Sequence, residues 1–155
     1  MVRGKLAASL LLALAFRLGL PAADYTFRVN DLKAVLTVRP DGLVDLRYAL
    51  TFTPQPGSHP VDIVDIGMPN DQYDLGTAAA AISGIELRDI RQSEYVKPGV
   101  EVHLGSAAIA PGRSGTLEFS ILLPRMVYPD SENDGDAALQ FKTTWYDSKY
   151  VSGTA

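Results

Sequence analysis

The chain has 155 residues, a formal net charge of −4 and no cysteine. An acidic chain without a basic run repels a phosphate backbone, which excludes nucleic acid as a natural partner. The missing cysteines exclude a disulfide framework and lipid attachment through a cysteine, and two isolated histidines, His59 and His103, make no zinc site.

The N-terminus reads as an address. Arg3 and Lys5 precede an apolar run from Leu6 to Phe16, and Pro21, Ala22 and Ala23 close the segment. A basic start, a short apolar stretch and small residues form the pattern of a secretory signal. The run is shorter than the roughly 20 apolar residues a membrane helix needs. Arg17 interrupts its extension to Leu18 and Leu20, and a cation at mid-membrane costs about 2.5–3.5 kcal/mol. A cation near the end snorkels at less cost, and Leu20 or Pro21 stands where a signal peptidase prefers a small residue. Residues 1–23 are therefore expected to be a signal peptide helix or an uncleaved anchor, placing residues 24–155 outside the cytoplasm. Removing residues 1–23 takes Arg3, Lys5 and Arg17, so that 11 basic residues against 18 acidic leave a net charge of −7. None of Asn30, Asn70 and Asn133 begins a glycosylation sequon.

Period-two alternation runs through the rest. Tyr25, Phe27 and Val29 alternate with polar residues, as do Ala34, Leu36 and Val38 with Val35 as the one apolar exception. The regular series Val44, Leu46, Tyr48, Leu50 and Phe52 follows. Alternation of this kind marks strands with one face in a core and one in water. Between the last two runs lies Pro40-Asp41-Gly42, in which Pro presets φ and Gly supplies a positive φ, so a hairpin is predicted there. Leu46, Tyr48, Leu50 and Phe52 are expected to face inward with Ala34, Leu36 and Val38.

Val61 and Ile63 share one parity while Val64 and Ile66 share the other, which predicts a bulge or burial on both faces. Ala78 to Ala81 is read as a strand ending at the Ser83-Gly84 turn rather than as a helical turn. Further strands are predicted at Ile85–Leu87, Val100–Leu104, Leu117–Leu123 and Leu139–Trp145, the last placing Trp145 in the core with Phe141. About eight short strands separated by Gly/Pro turns predict an all-β fold, an immunoglobulin-like antiparallel β-sandwich. Tyr150-Val151 looks like the start of one more strand, so the domain over 24–155 is expected to be C-terminally incomplete.

The densest acidic cluster runs from Asp130 through Glu132 and Asp134 to Asp136. Its alternating oxygen ligands before Gly135 suit the first half of a calcium loop, but Phe141 stands where the bidentate Glu belongs. A solvated connecting loop is the better reading. Asp62, Asp65, Asp71 and Asp74 form a second scatter, in which alternation puts Asp62 and Asp65 on opposite strand faces, unsuited to paired acid–base work. Ser114, in Gly112-Arg113-Ser114-Gly115, lacks the strand-to-helix elbow of a hydrolase serine. Tyr73, Tyr95, Tyr128 and Tyr146 suit a sugar-stacking face or, more simply, a core edge with wet hydroxyls. No catalytic, cofactor-binding or metal-ligating residue is assigned, and no cofactor is implied.

Three segments carry a resemblance: LTVRPDGLVDLRY from Leu36 to Tyr48, DIGMPNDQYDL from Asp65 to Leu75, and FKTTWYD from Phe141 to Asp147. Together they resemble the exported N-terminal β-domain of an uncharacterised family of predicted bacterial membrane proteins. The resemblance implies a downstream transmembrane helix and carries no catalytic residue. The expected function is a non-enzymatic interaction or structural module at a bacterial cell envelope, exported and membrane-associated, with an unknown protein or glycan partner. The alternative is a carbohydrate-binding or adhesin-like module, and a carboxylate-pair hydrolase is the third reading. Fold alone does not name the ligand.

Overall fold

The computed structural model describes residues 24–147. The expected signal or anchor over 1–23 and the strand start at Tyr150-Val151 lie outside the described residues. Within them the chain is all-β and every strand pairing is antiparallel. β1 (Phe27–Val38), β2 (Val44–Pro54), β8 (Gly115–Leu123), β4 (Ala79–Ile82) and β5 (Ile85–Leu87) form a five-stranded sheet in that spatial order. β3 (Ile63–Gly67), β7 (Gly99–His103) and β6 (Ile90–Gln92) form a second, and β9 (Val127–Pro129) with β10 (Ala137–Leu139) a small hairpin. Single 3₁₀ turns occupy Leu75–Thr77 and Gly105–Ala107. No helix among the described residues is long and apolar enough to cross a membrane.

The β1–β2 hairpin forms as its turn residues predict. Arg39 N–H donates to Leu43 O at 2.8 Å, Gly42 N–H donates to Arg39 O at 3.0 Å, and Gly42 takes φ +80. Val44, Leu46, Tyr48, Leu50 and Phe52 are all buried, which is the period-two face in the core. On β1 the reading needs two corrections. The register slips between Val29 and Asp31, so Asn30 is a bulge residue. It switches the inward parity from Phe27 and Val29 to Leu32, Ala34 and Leu36 and joins two predicted runs into one long strand. Val38 is 54% exposed although its partner Val44 on β2 is fully buried, because β1 is the outermost strand of the sheet.

One hydrophobic cluster takes side chains from both large sheets, with Leu46, Leu50, Phe52 and Phe119 from the first and Val64, Ile66, Val100 and Val102 from the second. The parity break near residue 62 is resolved here. Val61 makes an isolated bridge with Ile109, whereas Val64 and Ile66 face inward from β3 and Ile63 stays exposed. Ala79–Ile82 is a strand, as read. β6 and β9, three residues each, carry too short a pattern to be seen in sequence.

The last predicted strand is where alternation misleads. Residues 141–147 form no strand. Thr144 is buried: its N–H donates to Tyr48 Oη at 3.1 Å, and its Oγ1 accepts Gly67 N–H at 3.0 Å. Tyr146 goes in beside it, edge-on to Phe52 with centroids 5.4 Å apart and to Phe27 at 6.0 Å. With Thr144 and Tyr146 turned inward, Trp145 is turned out and is 69% exposed, not in the core. The outward Gly67 amide at the edge of β3 needs an acceptor, which Thr144 supplies and an indole does not.

Candidate functional site

The acidic loop joins β9 to β10. Asp130 Oδ1 accepts the backbone amides of Glu132 at 2.8 Å and Asn133 at 3.0 Å, bonds that hold its carboxyl below the ordinary carboxylate range. Gly135 closes the loop at φ +92. This is Asx-turn chemistry. Among the described residues, no group of three or more His, Asp or Glu is placed to hold a metal ion. Calcium is accordingly expected to leave the melting temperature unchanged. A ligand held at 100 times its dissociation constant would add about 2.7 kcal/mol, a visible shift. A calcium-dependent rise abolished by Asp130→Asn with Asp134→Asn would reverse that reading.

The second carboxylate scatter is divided among separate partners. Asp62 accepts the Tyr25 hydroxyl at 2.7 Å, Asp65 accepts Ser93 Oγ at 2.5 Å, and Asp74 accepts Gly76 N–H at 2.8 Å at its 3₁₀ turn; Asp71 is exposed. Partial burial and the bond to Asp62 push the Tyr25 phenol up to about 12. His59 stacks on Tyr25 with centroids 4.4 Å apart, and its Nδ1 lies 2.8 Å from Pro60 O.

His103 sits in a row of charges on the outer face of the three-stranded sheet. Its Nε2 lies 2.8 Å from Glu101 Oε1 and its Nδ1 4.0 Å from Asp89 Oδ2. Asp89 in turn accepts Arg91 Nε at 2.6 Å and Nη2 at 2.7 Å. Both imidazole nitrogens face carboxylates, so neither is set against a hydroxyl it could activate. Ser114 is bonded elsewhere: Thr53 Oγ1 donates to Asn30 Oδ1, and Ser114 Oγ lies 2.6 Å from that same Thr53 oxygen.

The Arg91 bond holds the Asp89 carboxyl below the usual range. A pKa depressed on folding contributes stability above the unfolded value near 4, and that stability is lost as the pH falls through the folded value. A ¹³C carboxyl titration should show Asp89 ionising low in the native chain and returning to the ordinary range in Arg91→Ala. An unmoved Asp89 in that variant would show that the bond is absent in solution.

The four tyrosines do not share one face. Tyr146 lies inside, where burial pushes its phenol strongly upward, and Tyr128 is exposed on β9. Tyr73 and Tyr95 instead meet the end of the three-stranded sheet where Gly67 pairs with Gly99. Tyr73 Oη donates to Gly99 O at 2.7 Å. Ser93 Oγ accepts the amides of Tyr95 at 3.1 Å and Val96 at 2.9 Å, which folds this loop back on the sheet and leaves Tyr95 85% exposed. A Cβ on Gly99 would meet Val96 O at 2.6 Å, so only glycine fits there. A Cβ on Gly67 would touch Thr144 Oγ1 at 3.6 Å and Val96 Cγ1 at 3.7 Å. Thr144 and Val96 thus close on Gly67 together, and their chain neighbours Trp145 and Tyr95 are the two most exposed large aromatics among the described residues.

This aromatic corner is the feature best suited to recognition. Trp and Tyr are the side chains that dominate binding surfaces, and here Thr144 and Ser93 fix the backbone that carries them. Sequence reasoning singled out Tyr73 and Tyr95 but put Trp145 in the core. Nothing local in the sequence reveals that Gly67 draws residues 96 and 144 together. Compared with known proteins, the chain matches no family model and no curated sequence.

Proposed function

We propose that the chain is an exported, non-enzymatic interaction module at a bacterial cell envelope, the N-terminal part of a membrane-anchored protein, recognising its partner through Trp145 and Tyr95. The observation that carries the reading is the exposure of these two aromatics, each next in the chain to a residue that closes on Gly67 and held on hydrogen-bonded backbone. The separate commitments of Ser114, His103 and the carboxylates support a binding role over a catalytic one. Two antiparallel sheets sharing one hydrophobic cluster support an immunoglobulin-like sandwich. The N-terminal signal pattern and the family resemblance support export and anchoring.

The test has two arms. An alkaline phosphatase fused after Ala155 should be active in a bacterial host. A photo-crosslinking residue at Trp145 or Tyr95 should yield a discrete envelope adduct that the same probe at Glu132 does not. An inactive fusion removes export, and identical adduct patterns at all three positions remove the aromatic corner. Exposed aromatic planes also favour the carbohydrate-binding reading, since they stack on the apolar faces of sugars. A glycan panel, with and without calcium, tests it. Binding lost in Trp145→Ala supports a glycan partner, and flat responses eliminate it.

A further inference from the structure

We infer that two copies of this chain associate edge to edge through β1 and the residue that follows it, pairing Asp31–Arg39 antiparallel with the same segment of the second copy and with Val35 at the two-fold axis. The inference does not depend on Trp145 and Tyr95, neither of which belongs to the Asp31–Arg39 stretch.

The edges of the sheets are unequal. β5 and β6 are three residues each, too short to template a partner strand, and the outward Gly67 amide of β3 is taken by Thr144. β1 is twelve residues long and, among the described residues, pairs with β2 alone. Long edges that stay single are usually blunted by bulges, proline, inward-pointing charges or outward lysines. The stretch proposed here carries one outward lysine, Lys33, and the bulge and the proline lie outside it, at its two ends. The Asn30 bulge closes it on one side and Pro40 on the other. Between them the inward residues Leu32, Ala34, Leu36 and Val38 are all apolar.

Backbone direction follows from the hairpin. Arg39 directs its N–H to Leu43 and its C=O toward Gly42, so it faces β2. Alternation along an antiparallel strand then turns the N–H and C=O of Val38, Leu36, Ala34 and Leu32 away from β2, toward the open edge.

Register follows from length and charge. The midpoint of Asp31–Arg39 is Val35, so full overlap sets Leu32 opposite Val38 and Ala34 opposite Leu36, each twice by symmetry. These are the residues whose backbone groups point outward, so they form the hydrogen-bonded pairs. On the outer face the same register sets Lys33 opposite Thr37 and Asp31 opposite Arg39 of the second copy, again twice. Arg39 lies 3.2 Å from Asp41 of its own hairpin, an exposed pair that it shares or exchanges for Asp31 on association. Sliding by one residue pair in one direction brings Lys33 against Arg39; sliding in the other leaves Asp31 opposite Thr37 with no ion pair. Opposite charges facing across strands stabilise and like charges destabilise. The favoured register also covers Val35 and Val38, 41% and 54% exposed in the single chain.

The experiment uses single cysteines in the full chain, which has none of its own. Val35 would face its own copy as a non-hydrogen-bonded pair with Cα atoms about 4.5 Å apart, within disulfide range. Under mild oxidation Val35→Cys should give a cross-linked dimer. Lys33→Cys and Thr37→Cys should each form no cross-link alone and cross-link when mixed. In sedimentation, Asp31→Arg or Arg39→Asp should each weaken the dimer by roughly tenfold or more, and the double exchange should restore it. Trp145→Ala should leave the cross-link unchanged. A sedimenting monomer at the highest soluble concentration, or equal cross-linking at positions 33, 35 and 37, would overturn the inference.

Discussion

Phe52→Ala is expected to cost about 3–5 kcal/mol in urea unfolding, among the largest effects of any single substitution in this chain. Phe52 is almost fully buried on β2, opposite Val29 on one side and Gly115 on the other. It also meets Phe27 edge-on with centroids 5.7 Å apart and Tyr146 at 5.4 Å. Truncation therefore removes buried apolar area and leaves a cavity that two rings on separate segments cannot both fill. The Tyr146 contact makes the experiment informative beyond the sheet, because it reports whether residues 141–147 are packed. A double-mutant cycle of Phe52→Ala with Tyr146→Ala should return a coupling of about 0.5–1.5 kcal/mol. Strict additivity would show that the segment carrying Trp145 does not dock on β2, and the aromatic corner would go with it.

The second large effect is a contrast between neighbours. Leu50 is fully buried, set in register between Leu32 of β1 and Leu117 of β8. Leu50→Ala should cost about 2–5 kcal/mol, the transfer energy of the lost methyl groups plus the cavity. Thr51 points to the other face, where its hydroxyl lies 2.9 Å from Thr116 Oγ1. Thr51→Ala loses one half-buried hydrogen bond and should cost about 1 kcal/mol or less. Equal losses at the two positions would mean that this strand is covered on both faces. The five-stranded sheet would then have an outer layer.

The hairpin and the core face of β2 were legible because one local rule sufficed for each. Pro40-Asp41-Gly42 specifies a turn by its own dihedral preferences, and alternation from Val44 to Phe52 specifies a face whatever packs on it. The same rule failed on Phe141, Thr143 and Trp145, which alternate without belonging to a ladder. Alternation describes which side chains would share a face if the backbone were a strand. It does not say whether a partner strand exists. Residues 141–147 instead send backbone and side-chain polar groups to Tyr48 and Gly67, nearly a hundred positions away in the case of Tyr48. The bulge at Asn30 was hidden for a related reason, since a single parity switch between two apolar runs looks the same as a break between two strands.

What the sequence by itself determined is the all-β character, the β1–β2 turn, the inward set on β2 and the turn character of the acidic loop. Each depends on neighbours within a few residues. Only the tertiary structure decided which carboxylates keep company with which hydroxyls, that Trp145 faces water, and that β1 is the long edge of its sheet. These depend on where distant segments arrive. Gly67 and Gly99 show the reason in small compass. Neither residue has a side chain to announce a role, yet the space they leave lets Val96 and Thr144 approach, and that approach turns Tyr95 and Trp145 outward.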